Sequence, residues 1–179
     1  MIGPATGRRT ALLALGANLG DPVAQLRAAV SQLRARLTDV QVSRMYRTAP
    51  EGGADQPDYV NAVVRGLWDG TARELLSLAL ELEESAGRTR PFPGSSRTLD
   101  VDVLFLGDLV VDEPELTLPH PRWATRAFVV VPLLDVAPDW IDPVSGKPVA
   151  DVACERAWHA GMLGEAVAPS GRPVPLETL

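Results

Sequence analysis

The chain has 179 residues, of which 46% are hydrophobic and 22% charged, with a formal net charge of −6. That balance excludes a disordered chain and matches one globular domain able to bury its own core. The acidic excess argues against a nucleic-acid binder, which needs a basic face, but leaves room for a nucleotide site built from a local arginine cluster. In chain order, the start MIGPATGRRT lacks the apolar segment of a signal peptide. Residues 11–16 (ALLALG) read as a short buried strand. Asp21-Pro22 is an N-cap followed by proline at the first helical position, and Leu26, Val30, Leu33 and Leu37 at helical spacing predict a helix over 22–37. Residues 40–47 alternate as a strand, and TAPEGGADQPD is a loop. Residues 59–68 form a strand. Thr71 and Glu74 make a capping box for an amphipathic helix ending near Gly87. RTRPFPGSS is irregular, and RTLDVDVLFLG is the clearest strand in the chain. A turn at Gly107-Asp108 and a loop around PHPRW follow. RAFVVVPLLDV, interrupted by Pro132, is a short helix or an irregular packed segment.

No repeat or linker divides the chain, so we expect residues 1–179 to form one domain, with loosely ordered tails at 1–9 and about 165–179. The order β-α-β-β-α-β is that of a ferredoxin-like α+β sandwich: an antiparallel sheet with helices packed mainly on one face. The other face is then open for loops and ligands. Cys154 is the only cysteine, which allows no internal disulfide and fits a reducing cytosol. No apolar run approaches the roughly 20 residues of a membrane helix. A cytoplasmic protein, with neither membrane nor nucleic acid as partner, is expected.

Within Leu99-Asp100-Val101-Asp102-Val103, strand alternation puts Asp100 and Asp102 on one face, roughly 6–7 Å apart along the backbone. Leu99, Val101, Val103 and Phe105 are expected on the helix-covered face, with Leu104 and Leu106 continuing the face of the aspartates. Two neighbouring carboxylates repel and lose hydration unless a cation compensates, and Mg2+, which takes carboxylates, waters and substrate phosphates, is the natural one. A solvated acid pair is the plain alternative for so short a motif. The arginines nearby favour the first reading: Arg88, Arg90 and Arg97 precede the strand, and Arg122 and Arg126 flank the later loop with His120. A guanidinium fork suits phosphate oxygens. Arg122 alone reads as a surface residue, His120 alone as a turn residue, and His159 as structural. Neither G-x-G-x-x-G nor G-x-x-x-x-G-K-[ST] occurs, so phosphates would be held by metal and arginines.

Taken together, LGANLGDP, YRTAPEGGADQPDYVNAVV, the E-x-x-x-G-R-x-R segment from Glu83, RTLDVDVLFLG and LPHPRWATRAFVVVPLLDVAP resemble the 6-hydroxymethyl-7,8-dihydropterin pyrophosphokinases. The similarity runs in order over about residues 11–140. The resemblance implies a ferredoxin-like enzyme of folate biosynthesis that moves pyrophosphate from ATP to the pterin's hydroxymethyl group, releasing AMP. It implies that Asp100 and Asp102 hold two Mg2+ ions, with Arg88 and Arg97 joining them in catalysis. Arg88, Arg90, Arg97, His120 and Arg126 would meet the phosphates of ATP, and Val103 and Thr117 would lie beside its adenine. Thr48, Pro50, Tyr59, Asn61 and Phe128 would line the pterin pocket, with Tyr59 and Phe128 sandwiching the ring while Asn61 reads its polar edge. Read without the resemblance, Tyr59 and Phe128 are core aromatics. Several positions depart from the family pattern. PFPGSSRT lacks the usual tryptophan and Gly-Pro, Ala17 replaces a serine, Glu51 an apolar residue, Leu80 a glutamine, and Pro121 an aromatic. Two other functions fit parts of the pattern: a ferredoxin-like module that binds a small molecule without catalysis, and a nucleotidyltransferase. The latter's Gly-Ser turn should lie about ten residues before the acids, whereas Gly16 is far upstream of Asp100.

Overall fold

The structure, a computed structural model, describes residues 7–50, 56–87, 97–159 and 174–178. Its order is β1 (Arg9–Ala17), α1 (Pro22–Arg34), β2 (Thr38–Val42), β3 (Arg44–Thr48), β4 (Tyr59–Trp68), α2 (Ala72–Ser85), β5 (Asp100–Leu106), β6 (Val111–Glu113), β7 (Leu116–Leu118), α3 (Ala127–Val136), α4 (Val149–His159) and β8 (Val174–Thr178). The main sheet is antiparallel, ordered β5-β1-β4-β3-β8, with β2 also paired to β4. This is the expected α+β arrangement.

The local signals act as read. The Asp21 side chain accepts the N–H of Ala24 at the start of α1. Thr71 and Glu74 exchange the two bonds of a capping box at α2. Gly87 follows α2 in the left-handed region, at φ +69°. Helix α1 stops three residues short of the predicted end, yet Leu37 still reaches the core because its N–H bonds Leu33. The strand expected over 40–47 is two. Ser43 interrupts it, and its hydroxyl takes the N–H of Val63 at 2.9 Å.

Two cores sandwich the sheet. On one face, Leu13 and Leu15 of β1, Val60, Ala62 and Val64 of β4, and Val101 and Val103 of β5 pack against α1 and α2. On the other, Leu12, Val63, Leu104 and Phe105 pack against Trp123, α3 and α4. The second face, expected to lie open to loops and ligands, is therefore covered by α3 and α4 beyond the end that carries Gly16, Asn61 and Asp100. Pro132 is accommodated inside α3, so RAFVVVPLLDV is a helix.

Four expectations need correction. A register shift between Leu12 and Leu13 leaves Leu104 opposite no residue of β1, and alternation changes phase there. Phe105 consequently joins the second core, and Leu106 the first, the reverse of simple alternation. The β6–β7 hairpin and α4 carry no expected element. Residues 174–178, expected in a loose tail, form β8 paired to β3, and Arg9 already belongs to β1. No described helix is long and apolar enough to cross a membrane.

Candidate active site

The Gly16 end of the second face carries a row of register partners across four strands: Asp100 on β5, Gly16 on β1, Asn61 on β4 and Tyr46 on β3. Paired residues in adjacent strands share a face and are about 5 Å apart. Asp102 pairs with Ala14 one step along, on the same face as Asp100. The two acids thus stand together on the side away from α1 and α2. Glu83, buried in α2, holds the strand between them by accepting the N–H of Val101 at 2.9 Å.

Two guanidiniums and an imidazole converge on this pair. Arg97 forms an ion pair with Asp100. Arg126 Nη1 and His120 Nε2 lie 3.6 and 3.9 Å from Asp102 Oδ2, beyond hydrogen-bonding distance. The bulge on β5 places His120: its N–H bonds the carbonyl of Leu104, at 2.9 Å. Its Nδ1 accepts the N–H of Arg122, which assigns the ring proton to Nε2, the nitrogen facing Asp102. Burial, followed by the charges of Arg126 and Arg122, holds the His120 pKa below its ordinary 6.5, against the opposing pull of Asp102 and Asp100. Folding thus favours the neutral ring. Well above pH 6.5 this has no effect, but as pH falls through 6.5 the unfolded chain takes up the proton first and stability declines. Thermal melting of the ligand-free protein between pH 7.5 and 5 should show a shallower acid loss in His120→Gln than in the original chain; equal slopes would contradict this sign.

The other half of the row is polar and buried. Asn61 and Thr48 are both buried, and Asn61 Nδ2 donates to the Thr48 hydroxyl at 2.8 Å. Tyr59, the register partner of Thr48, is half-buried and donates its hydroxyl to Gln56 Oε1. Phe128, in the first turn of α3, is half-buried, with the Arg126 guanidinium 5.4 Å from its ring centre. Pro50 is half-buried beyond the end of β3.

Some expected site residues stand differently. The Val103 side chain is buried beneath α1 and α2, away from the aspartates, which leaves only its main chain to meet a ligand. Thr117 is exposed on β7. Arg88 and Arg90 lie outside the described residues, as do Glu51 and the PFPGSS segment. Arg122 is exposed, as a surface residue should be, and Leu80 is half-exposed, so its departure from the family pattern falls at the surface.

Residue-by-residue reading overlooked Asn18. It is 2% exposed at the end of β1. Its Oδ1 accepts the N–H of Arg97 at 2.7 Å, its own N–H bonds the Arg97 carbonyl, and its Nδ2 reaches Pro57 O and Gln56 Oε1. One amide therefore ties β1 to both segments that enter the site. Its position after a strand, ahead of an Asp-Pro cap, is the only local signal.

A family model described as 7,8-dihydro-6-hydroxymethylpterin-pyrophosphokinase matches residues 12–138. The chain belongs to this family. A 2-amino-4-hydroxy-6-hydroxymethyldihydropteridine pyrophosphokinase of Synechocystis is 38% identical over 155 residues, 83% of this chain and 78% of that protein. Its counterpart in Haemophilus influenzae is 40% identical over 139 residues, 76% of this chain and 86% of that one. Among solved structures, Plasmodium falciparum HPPK-DHPS with SDX-DHP matches with a TM-score of 0.69 at 12% identity, covering 95% of this chain. That likeness concerns the fold, and this pyrophosphokinase chain spans about half, 50%, of the Plasmodium chain.

Proposed function

We propose that the chain transfers pyrophosphate from ATP to the hydroxymethyl group of 6-hydroxymethyl-7,8-dihydropterin, releasing AMP, as a cytoplasmic enzyme of folate biosynthesis. The observation that carries this reading is the row Asp100–Gly16–Asn61, with an acid pair at one end and a buried amide at the other, separated by a residue without a side chain. Its two halves suit two substrates.

Two carboxylates on one strand face, with guanidinium and imidazole N–H groups around them, fit Mg2+, which is usually held by one or two carboxylates and by substrate phosphates. Asp100 and Asp102 would hold two such ions. Metal held by these two carboxylates would offset charge on the triphosphate oxygens. Arg97, Arg126 and the Nε2–H of neutral His120 donate to the phosphates, together with Arg88 and Arg90. Val103 through its main chain and Thr117 lie on the adenine side. In the pocket, Asn61 and Thr48 supply donors and acceptors to the pterin edge, while Tyr59, Phe128 and Pro50 supply apolar contact to its flat faces.

The hydroxymethyl oxygen attacks the β-phosphorus in line. The new bond joins that oxygen to the β-phosphorus, the hydroxyl proton passes to solvent, and the bond from the β-phosphorus to the α,β-bridging oxygen breaks, so AMP departs with the bridging oxygen. Loose transition states of this kind depend on positioning and charge compensation. Incubation with ATP, Mg2+ and the pterin alcohol should yield AMP and pterin diphosphate in equal amounts. ADP as the only nucleotide product would contradict the reading.

A further inference from the structure

Asp135 stands in the last turn of α3, where a carboxylate meets the helix's own carbonyl ends and is disfavoured. Its partners offset this. Oδ2 accepts the main-chain N–H and Nε–H of Arg44, each at 3.1 Å, and the Tyr46 hydroxyl at 2.8 Å, while Oδ1 accepts Arg44 Nη2 at 2.7 Å. Burial raises the carboxyl pKa, but the hydrogen bonds from Arg44 and Tyr46 outweigh it, and the balance lies below the ordinary value. The group is therefore an ionised, four-bonded clamp between α3 and β3.

What the clamp faces gives it a function. Tyr46 is the register partner of Asn61, and Thr48, two residues further on the same face of β3, bonds the Asn61 amide. On the helix, Asp135 follows Phe128 by seven residues, so both occupy one stripe of α3, about 10 Å apart. One end of the stripe is pinned beside Asn61, and the other carries Phe128. We propose that Asp135, acting through Tyr46 and Arg44, is a positioning residue that sets the gap between Phe128 and the Thr48–Asn61 pair, and so the fit of the pterin ring. This rests on the pterin assignment above. Arg44 and Tyr46 belong to the strand leading into Y-R-T, whose tyrosine has no other role in the site.

The experiment compares Tyr46→Phe, Asp135→Asn and the double variant of the full chain, measuring KM for the pterin alcohol, KM for ATP and kcat. Each single change should raise the pterin KM about tenfold, with the KM for ATP within about twofold, because a charge-assisted hydrogen bond is lost on one side of the site only. The double variant should be no worse than the more damaging single one, since both remove the same bond. An unchanged pterin KM in Tyr46→Phe, or equal rises for both substrates, overturns the positioning role. Tyr46→Phe keeps the ring and deletes only the hydroxyl, so it decides the matter even where Asp135→Asn does not fold. An original chain that forms no AMP sinks the pterin reading itself, and this proposal with it. An active original chain beside an indifferent Tyr46→Phe sinks the positioning role alone.

Discussion

Asp102→Asn is expected to lower kcat for AMP formation about a thousandfold, equivalent to about 4 kcal/mol of transition-state stabilisation, with the fold intact. The side chain stands on the ligand face of β5, 32% exposed and beyond hydrogen-bonding distance of Arg126 and His120. An asparagine of the same shape can occupy the site without breaking a buried bond, so the fold has little to lose. The amide cannot supply the anionic oxygen that Mg2+ takes, and the guanidiniums then face a triphosphate whose charge is less fully offset. Steady-state kinetics alongside circular dichroism and a melting curve check this. Activity within tenfold of the original chain would remove Asp102 from the metal role.

Gly16→Val should reduce kcat/KM for the pterin about a hundredfold while lowering the melting temperature by only about 2–4 °C, the shift that about 1 kcal/mol gives in a chain of this size. Gly16 is not in the left-handed region, so its backbone conformation does not require glycine. Space does: a Cβ there would sit 3.0 Å from Asn61 Oδ1. Valine would add two further methyl groups on the face between Asp100 and Asn61, where the hydroxymethyl group must approach the phosphate, and even an ångström of misplacement is costly to such a reaction. Valine favours strands, which offsets part of the crowding at buried Asn61, so stability should fall little while turnover falls steeply. Normal turnover in this variant would mean that the gap is not on the reaction path.

The alternation of D-V-D-V placed both aspartates on one face, because a strand's period of two holds wherever the ladder is regular. It failed two residues later, at Phe105. All of Val103 to Leu106 is apolar, so nothing in the residue types marks Leu104 as unpaired, and the bulge that sends Phe105 to the second core also anchors His120. The caps of α1 and α2 were legible because they act within three residues. Helix α4 and strand β8 were not: α4 has no Gly or Pro of its own but is flanked on both sides by segments that carry them, and β8 gains its place only by pairing with β3. Within the site, Arg97, His120 and Arg126 could be singled out by chemistry near an acid pair. Asn18 and Asp135 could not, since each works through partners at long range: Asn18 meets Arg97 79 residues later, and Asp135 meets Tyr46 89 residues earlier.

The claim on which the account rests is that Asp100 and Asp102 bind nucleotide through divalent cations. Calorimetric titration with a non-hydrolysable ATP analogue, in Mg2+ and again in EDTA, tests it without turnover. Affinity should fall steeply in EDTA for the original chain, and Asp102→Asn should lose most of that difference. Equal affinity for the nucleotide with and without Mg2+ in the original chain would contradict it.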